Sequence, residues 1–286
     1  MSDFLTATAH THFDTIDSTN TQLIRAIADG TYPHTTPHLY TASHQTAGRG
    51  QHGRTWVSGV DNVFLSLYVP IGHGVYEPHA LSGMLSLTVG YELANLPIMQ
   101  TINAHRQTDN LPPIGVKWAN DVGVYDDKAG FFKKLAGILI EPVFKTLDKN
   151  TPDKNTLVGM VIGVGLNVGH SPVIKDGLYQ TTCLKELSDI KTTAQDLYIP
   201  MANAIFQAVQ TCNHLKNEIN IRQFIIDFNK NHILQGKNIH IFIQNNMTDV
   251  YAKGKCLGIG NQGELLLNDN GDIQPIFAGM AKIISH

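Results

Sequence analysis

The stretch QTAGRGQHGRTW, which occupies residues 45–56, contains three glycines, two arginines, a histidine and one of the two tryptophans of the chain. Residues 39–42 before it and 62–69 after it are rich in β-branched and aromatic side chains, so both predict strands. The stretch between them is therefore predicted to be a loop. Glycines allow the backbone to approach a bound group closely, and arginines add forked, permanently charged donors. The loop is a candidate anion-binding site; a plain connection between strands and an RNA-binding Arg-Gly segment are the alternatives.

Composition argues against several classes of protein. The formal net charge of −3 and the lack of a lysine- or arginine-rich run argue against RNA binding. The cysteines Cys183, Cys212 and Cys256 are odd in number and widely spaced, which predicts no disulfide framework and fits a reducing cytoplasm. No secretory signal or transmembrane helix is expected, because the start lacks a basic segment and no apolar run approaches about 20 residues. The fourteen histidines show no metal-ligand spacing, and His10 and His12 are placed in an irregular start.

Polar residues mark the beginning of the first predicted helix. The run DSTN at residues 17–20 precedes apolar residues at helical spacing up to Gly30, which predicts an N-cap, a short helix and a glycine stop. Capping alone explains such a run, but the same small side chains can also face a ligand. Residues 77–96 predict a second helix, and the polar, proline-bearing residues 97–113 predict a loop.

A lysine and an Asn-Asp pair lie at the end of the next predicted strand. Residues 114–118 form this strand, which contains Lys117 and is followed by Asn120 and Asp121. These side chains are suited to nucleotide phosphates or to a metal-bound phosphate. A surface salt bridge and an Asx-turn are the alternatives.

Two long apolar segments come next and predict strands buried on both faces. They span residues 134–141 and 157–168, and the polar run 145–155 between them predicts a hairpin tip. Lys134 stands at the entry of the first strand and Asn167 near the end of the second. A polar side chain in such a place either reaches water or points at a ligand.

The pattern changes near residue 235. Two helices are predicted before it and four short strands after it, at residues 193–216, 219–232, 238–243, 248–259, 263–267 and 273–284. About fifty residues of consecutive short strands are typical of a small barrel. The sequence therefore predicts a larger domain over residues 1–235 and a barrel over residues 236–286.

Five motifs together resemble those of the biotin–protein ligases and occur in that family's order and usual spacings. They are DSTN at 17–20, QTAGRG at 45–50, KWAND at 117–121, KLAGIL at 134–139 and GVGLN at 163–167. The resemblance runs from about residue 13 to the end of the chain. It implies an α/β (α+β) fold, a mixed β-sheet flanked by helices as in the class II synthetase-like biotin/lipoate ligases, with a small C-terminal SH3-like β-barrel. The barrel would close over the ATP side or help dock the carrier.

The resemblance also implies the reaction. Biotin and MgATP would give biotinyl-5′-AMP and pyrophosphate, and a lysine of the biotin carboxyl carrier domain of acetyl-CoA carboxylase would then attack the mixed anhydride. Biotin, ATP and Mg²⁺ would be substrates, and no tightly bound cofactor is expected. We expect a cytoplasmic monomer or weak homodimer that acts on neither DNA nor membranes. The start, about sixteen residues before the DSTN motif, leaves no room for the DNA-binding winged helix of many relatives.

The resemblance assigns roles to residues of the motifs. Lys134 and Arg49 would be catalytic, because they would neutralise the biotin carboxylate and the charge on the transferring oxygen. Biotin would contact Ser18, Thr19, Asn20, Gln45, Arg49, Gly50, Gln51, Trp56, Lys134 and Gly137. ATP would contact Arg49, Gln51, Arg54, Lys117, Asn120, Asp121 and Asn167, and Asp121 would also hold Mg²⁺.

Two positions depart from the family pattern. The family commonly has arginine where this chain has Gln51, and proline where it has Ala119. The first change weakens a phosphate contact and the second loosens a turn. We also expect the loop at residues 48–56 to be mobile without ligand and ordered with the adenylate. A lipoate–protein ligase, which shares the catalytic fold, and a noncatalytic RNA- or peptide-binding protein remain the alternative functions.

Overall fold

A computed structural model of the protein describes residues 8–77, 83–146, 155–174, 180–243 and 248–284. The helices are α1 Thr19–Ala28, α2 Met84–Ala94, α3 Pro97–Thr108, α4 Leu184–Leu187, α5 Ala194–His214 and α6 Glu218–Lys230. The first eight strands are β1 Ala9–Ile16, β2 His38–Gln45, β3 Val63–Pro70, β4 Gly115–Lys117, β5 Asp121–Asp126, β6 Phe131–Thr146, β7 Asn155–Leu166 and β8 Gln180–Thr181. The remaining five are β9 Asn238–Phe242, β10 Ala252–Ile259, β11 Leu265–Asp269, β12 Asp272–Ile276 and β13 Met280–Ile283.

The first eight strands form one mixed sheet. Its order is β1-β2-β3-β7-β6-β5-β4, with β8 beside β6. The β1–β2 and β6–β8 pairs are parallel and the other pairs are antiparallel. Two apolar clusters cover its faces: Leu23 and Ile27 of α1 pack with Tyr68, whereas α2 and α5 belong to the larger cluster. The predicted mixed sheet flanked by helices is therefore confirmed.

The first helix begins and ends as its sequence predicts. The Ser18 Oγ accepts a hydrogen bond from the Thr21 N–H at 3.4 Å, so Ser18 is the N-cap of α1. Gly30, just past the end, has φ of +86°, a conformation that favours glycine. This cap points the side chains of the first turn towards β6 and β7, where the candidate site lies.

Two segments were predicted wrongly. Residues 97–113, predicted to be a loop, contain α3, because Pro97 is tolerated in the first helical turn and Met99, Ile102 and Arg106 bury one side of the helix. The start of the chain, predicted to be irregular, contains β1, in which His10 and His12 lie. This strand pairs with β2 through its backbone, so its polar, largely exposed side chains gave little signal.

Other predicted boundaries shift without changing the architecture. The first long apolar strand extends well beyond the predicted 134–141, and the predicted strand 273–284 divides into β12 and β13 near Gly279, whose φ is +128°. The predicted strand beginning at 248 starts at Ala252. Residues 78–82 of the predicted helix 77–96 and residues 147–154 of the predicted hairpin tip lie outside the described residues.

The last five strands form a second, antiparallel sheet in the order β12-β11-β10-β9-β13. This second sheet contacts the part of the chain that carries the first sheet. The Trp118 Nε1–H, just after β4, donates to the Gly263 carbonyl, just before β11, at 2.9 Å. Leu265 and Leu267 are fully buried and belong to the same apolar cluster as α2 and α5. A boundary at residue 235 between two domains stays a prediction. Within the described ranges, no helix is long and apolar enough to span a membrane.

Candidate active site

A small cavity of about 50 Å³ lies where the N-terminus of α1 meets β6 and β7. It gathers residues from all five sequence motifs. Its lining includes Ser18, Thr19, Asn20, Gln45, Arg49, Gly50, Gln51, Trp56, Asn120, Lys134 and Gly137. All ten residues predicted to contact biotin are among them, although they come from three separate segments of the chain, 18–20, 45–56 and 134–137.

The first turn of α1 is fixed by side-chain hydrogen bonds. Gln45 Oε1 accepts from the Thr19 backbone N–H at 2.8 Å, and the Ser66 hydroxyl donates to Thr19 Oγ1 at 2.7 Å. The Asn20 amide nitrogen donates to the Leu139 carbonyl at 3.2 Å. Because Thr19 and Asn20 are almost fully buried, these bonds hold the polar groups in one arrangement beside the cavity.

Glycines on β6 and β7 make room for two of these side chains. A Cβ at Gly163 would lie 2.1 Å from Asn20 Oδ1, and one at Gly165 would lie 2.3 Å from the Trp56 indole. Gly165 pairs across the ladder with Gly137, whose Cβ would also meet the indole, at 2.8 Å. The bare glycine backbone is therefore what allows Asn20 and Trp56 to lie against the sheet.

The Gly- and Arg-rich segment is a loop, as predicted, and its own backbone closes it. The Gly50 N–H donates to the Arg54 carbonyl at 2.7 Å, and the Trp56 N–H donates to the Gly48 carbonyl at 2.9 Å. Gln51–Gly53 between them forms a short 3₁₀ turn. A Cβ at Gly48 would lie 2.5 Å from the Trp56 carbonyl oxygen, so this close approach requires glycine. The mobility of the loop stays a prediction.

A second cavity of about 350 Å³ adjoins the first and is rich in cations. Its lining contains four positively charged side chains, Arg54, Lys117, Lys134 and Lys282, and Asp121 is the one carboxylate among its described lining residues. Lys282 comes from β13, so the C-terminal sheet forms part of the wall. Such an excess of positive charge in a concave site suits a polyanion.

Two lysines in the second cavity differ in their surroundings. The Lys134 ammonium lies 2.6 Å from Asp121 Oδ1 and 5.3 Å from the centre of the Trp56 ring. The Lys117 ammonium lies 5.3 Å from the centre of the Phe132 ring. Burial lowers the pKa of Lys117, and the nearby Asp121 carboxylate opposes this shift. An arriving polyanion would further favour the charged form of Lys117.

Lys134 stands at the junction of the two cavities. It lines both of them, together with Gly50, Gln51, Trp56 and Asn120. A group bound in the small cavity and an anion in the large one would therefore meet beside its ammonium. Arg49 lines the small cavity and pairs there with Glu141 on β6.

Asn167 lies apart from the second cavity. Its amide nitrogen donates to the Thr182 carbonyl at 3.1 Å, and its Oδ1 accepts from Asn62 at 3.2 Å. It lines a third, narrow cavity of about 10 Å³ with Trp56, Lys134 and Ile174. Its predicted contact with adenosine stays a prediction.

Three residues of the site were missed by the sequence analysis. Ser66 and Glu141 lie on the strands β3 and β6, and Lys282 lies on β13. A serine inside the fully buried run of β3 and a glutamate at the end of an apolar segment were signals that the sequence offered. The sequence gives no such signal for Lys282, because its place in the cavity wall depends on how the second sheet packs against the rest of the protein.

Comparison with known proteins assigns the chain to a family of ligases. The sequence profile described as "Biotin/lipoate A/B protein ligase family" matches residues 12–167, and the chain belongs to that family. The earlier resemblance to the biotin–protein ligases is confirmed by its relatives. The chain is 28% identical over 265 residues to the bifunctional ligase/repressor BirA of Salmonella typhimurium, covering 92% of this chain and 71% of that protein.

Two further relatives are biotin ligases by name. The chain is 37% identical over 134 residues to the biotin–[acetyl-CoA-carboxylase] ligase of Mycobacterium tuberculosis, which covers 46% of this chain and 39% of that protein. The solved biotin protein ligase of Aquifex aeolicus in complex with biotin and ATP has a similar fold. Its TM-score is 0.63 at 19% identity, covering 97% of this chain and 99% of that one.

Proposed function

We propose that this protein is an ATP-dependent biotin–protein ligase, which activates biotin as biotinyl-5′-AMP and transfers it to a lysine of a carrier domain. The observation that carries the proposal is the junction at Lys134. A small cavity lined by polar residues of the α1 turn opens there into a cavity lined by four cations. Biotin and ATP as substrates agree with the relatives' names and complexes.

In the first half-reaction a carboxylate oxygen of biotin attacks the α-phosphorus of ATP. A new P–O bond forms, the bond to the β-phosphate oxygen breaks, and pyrophosphate leaves. The reactants are both anions, so their approach needs fixed positive charge. In this proposal Lys134 and Arg49 provide it, and the Ser18–Asn20 turn and Gln45 offer hydrogen-bond partners to the ureido ring.

The second cavity holds the remaining phosphates in this proposal. Arg54, Lys117 and Lys282 neutralise them, and Asp121 is the carboxylate available for Mg²⁺. The described residues contain no group of three or more His, Cys, Asp and Glu arranged around a metal. One carboxylate fits magnesium, because this ion is commonly bound by one or two carboxylates together with substrate phosphates. When bound, Mg²⁺ would neutralise phosphate charge.

In the second half-reaction the neutral amine of a carrier lysine attacks the carbonyl carbon of biotinyl-5′-AMP. An amide C–N bond forms, the C–O bond to the phosphate breaks, and AMP leaves as the amine loses a proton. The proposed carrier is the biotin carboxyl carrier domain of acetyl-CoA carboxylase. We further propose that the protein works in the cytoplasm as a monomer or weak homodimer, which suits the free thiols Cys183, Cys212 and Cys256.

Pyrophosphate release and carrier labelling test the proposed function. With ATP and Mg²⁺, pyrophosphate should appear with biotin and far more slowly with lipoate. Adding a biotin carboxyl carrier domain should give a protein with biotin on one lysine. Equal or faster release with lipoate would favour a lipoate ligase, and no release with either acid would leave a noncatalytic binding protein.

Because of Gln51, we expect this protein to bind biotinyl-5′-AMP more weakly than a relative with arginine at this position. The glutamine side chain lines both cavities but has no permanent charge, so it cannot form the charge-assisted bonds to phosphate that an arginine would form. Gln51→Arg should slow the release of biotinyl-5′-AMP about threefold to tenfold, as expected for one added charged hydrogen bond near the surface. The check is the dissociation rate of the pre-formed intermediate. Faster release from Gln51→Arg than from the natural protein would contradict this prediction.

Lys282 tests whether the C-terminal sheet takes part in ATP binding. Lys282→Ala should raise the KM for ATP about threefold to fivefold, because it removes one exposed cation from the wall of the second cavity. The affinity for biotin should be unchanged. Lys255→Ala is the matched control, since Lys255 is an exposed lysine of the same sheet outside the cavity. An equal effect of both substitutions would exclude a specific role for Lys282.

A further inference from the structure

One carboxylate oxygen links the two segments that flank the small cavity. Glu141 Oε2 accepts a hydrogen bond from the Asn20 amide nitrogen at 2.9 Å. The same oxygen accepts from Arg49 Nη2. Asn20 belongs to the α1 turn and Arg49 to the Gly- and Arg-rich loop, so Glu141 joins these two parts of the site directly.

The register of β6 explains why Glu141 reaches both partners. Gly137, Leu139 and Glu141 alternate along the strand and so lie on the same face of the sheet. Gly137 and Leu139 line the small cavity, and the Leu139 carbonyl also accepts from Asn20. Glu141 is the next residue along this face, at the edge of the cavity, and it lines neither the small nor the large cavity.

We propose that Glu141 is a positioning residue that holds Arg49 over the biotin cavity by tying it to Asn20. This inference rests on the proposed function. Glu141 does not touch the reactants and acts through two residues that do. Its carboxylate orients the Arg49 guanidinium before the anions arrive. Because Glu141 also contacts Asn20, binding of biotin at the α1 turn is coupled to the position of the Gly- and Arg-rich loop.

The ion pair is partly exposed, which sets the size of the effect. The side chains of Arg49 and Glu141 are 43% and 24% exposed. Pairs of this kind contribute modestly, so Glu141→Gln should reduce the rate of biotinyl-5′-AMP formation about fivefold. Glutamine keeps one oxygen to accept from Asn20, removes the negative charge and replaces the second oxygen by an amide NH2. The KM for ATP should stay unchanged, because Glu141 is outside the phosphate cavity.

The experiment measures single-turnover adenylation, the KM for each substrate and thermal unfolding in the full chain. Asp227→Asn is the control, because it removes the charge of another carboxylate in an ion pair, with Lys230 on α6, and neither residue lines the two cavities. We expect Asp227→Asn to adenylate like the parent. Parental adenylation by Glu141→Gln would overturn the inference, whereas failure of the parent to form any adenylate would instead refute the proposed function.

A second comparison separates positioning from a general structural role. If Glu141 acts through Arg49, the fivefold effect of Glu141→Gln should disappear in an Arg49→Gln background, because the guanidinium is no longer there to orient. Residual adenylation in that background is measurable by pyrophosphate release over long times. The same fivefold loss in both backgrounds would show that Glu141 acts independently of Arg49 and would overturn the inference.

Discussion

Replacement of Lys134 by alanine is expected to slow adenylation about 10²–10³-fold, far more than it weakens ATP binding, with the fold unchanged. Lys134 lines both cavities, is largely buried and contacts Asp121 at 2.6 Å, so its ammonium is held in place before the reactants bind. A fixed charge at the point where two anions must meet needs no reorganisation during the reaction. Removing one such preorganised contact typically costs about 3–4 kcal/mol.

The neighbouring Lys133 provides the control for this experiment. Lys133 pairs with Asp126 at 3.1 Å, and it lines neither of the two cavities. Lys133→Ala should therefore adenylate at nearly the parental rate. Single-turnover adenylation by Lys134→Ala within about threefold of the parent would remove Lys134 from the reaction and leave Arg49 as the main catalytic candidate.

Replacement of Gly163 by alanine is expected to raise the KM for biotin about 10- to 100-fold. The new Cβ would lie 2.1 Å from Asn20 Oδ1, so the Asn20 amide would have to move. Movement would break its bonds to Glu141 at 2.9 Å and to the Leu139 carbonyl at 3.2 Å, as well as the one from Ser66. Each buried polar group left without a partner costs about 1–3 kcal/mol, which amounts to about 10- to 100-fold.

The KM for ATP shows whether the effect of Gly163→Ala is confined to the small cavity. It should stay within about threefold of the parent, because Asn20 lines the small cavity and not the large one. Gly83→Ala is the control, since the nearest atom to a Cβ there is 3.7 Å away, an ordinary contact. An unchanged KM for biotin in a folded Gly163→Ala protein would show that Asn20 does not contact biotin.

The sequence predicted most of the small cavity because its residues lie in short motifs. Each motif combines a polar side chain with a glycine, a strand end or a helix start, and such features are visible without tertiary information. Ser66 escaped because it is a single polar residue in an apolar strand, and Glu141 because it stands alone at the end of the apolar segment of β6. Their partners, Asn20 and Arg49, are known only when the register of β3 and β6 and the position of α1 are known.

The fold was predicted less evenly than the site. Long apolar strands such as β6 and β7 are recognisable because burial on both faces demands an unbroken apolar run. The helix α3 has three buried residues and many polar ones, so its helical period is weak and tertiary packing decides its structure. The edge strand β1 was missed for a similar reason. It is held by backbone hydrogen bonds to β2, and such bonds leave no apolar pattern in the sequence.

The position of β13 has a consequence for chimaeras between relatives. The strand pairs with β9 inside the second sheet, and its residues Met280 and Lys282 also form a wall of the phosphate cavity, where Arg54 contacts Met280. Exchange of the C-terminal segment between two ligases would therefore transplant part of the proposed nucleotide site along with the sheet. Kinetic constants for ATP in such a hybrid would follow the donor of this segment, while preference for the acid would follow the recipient.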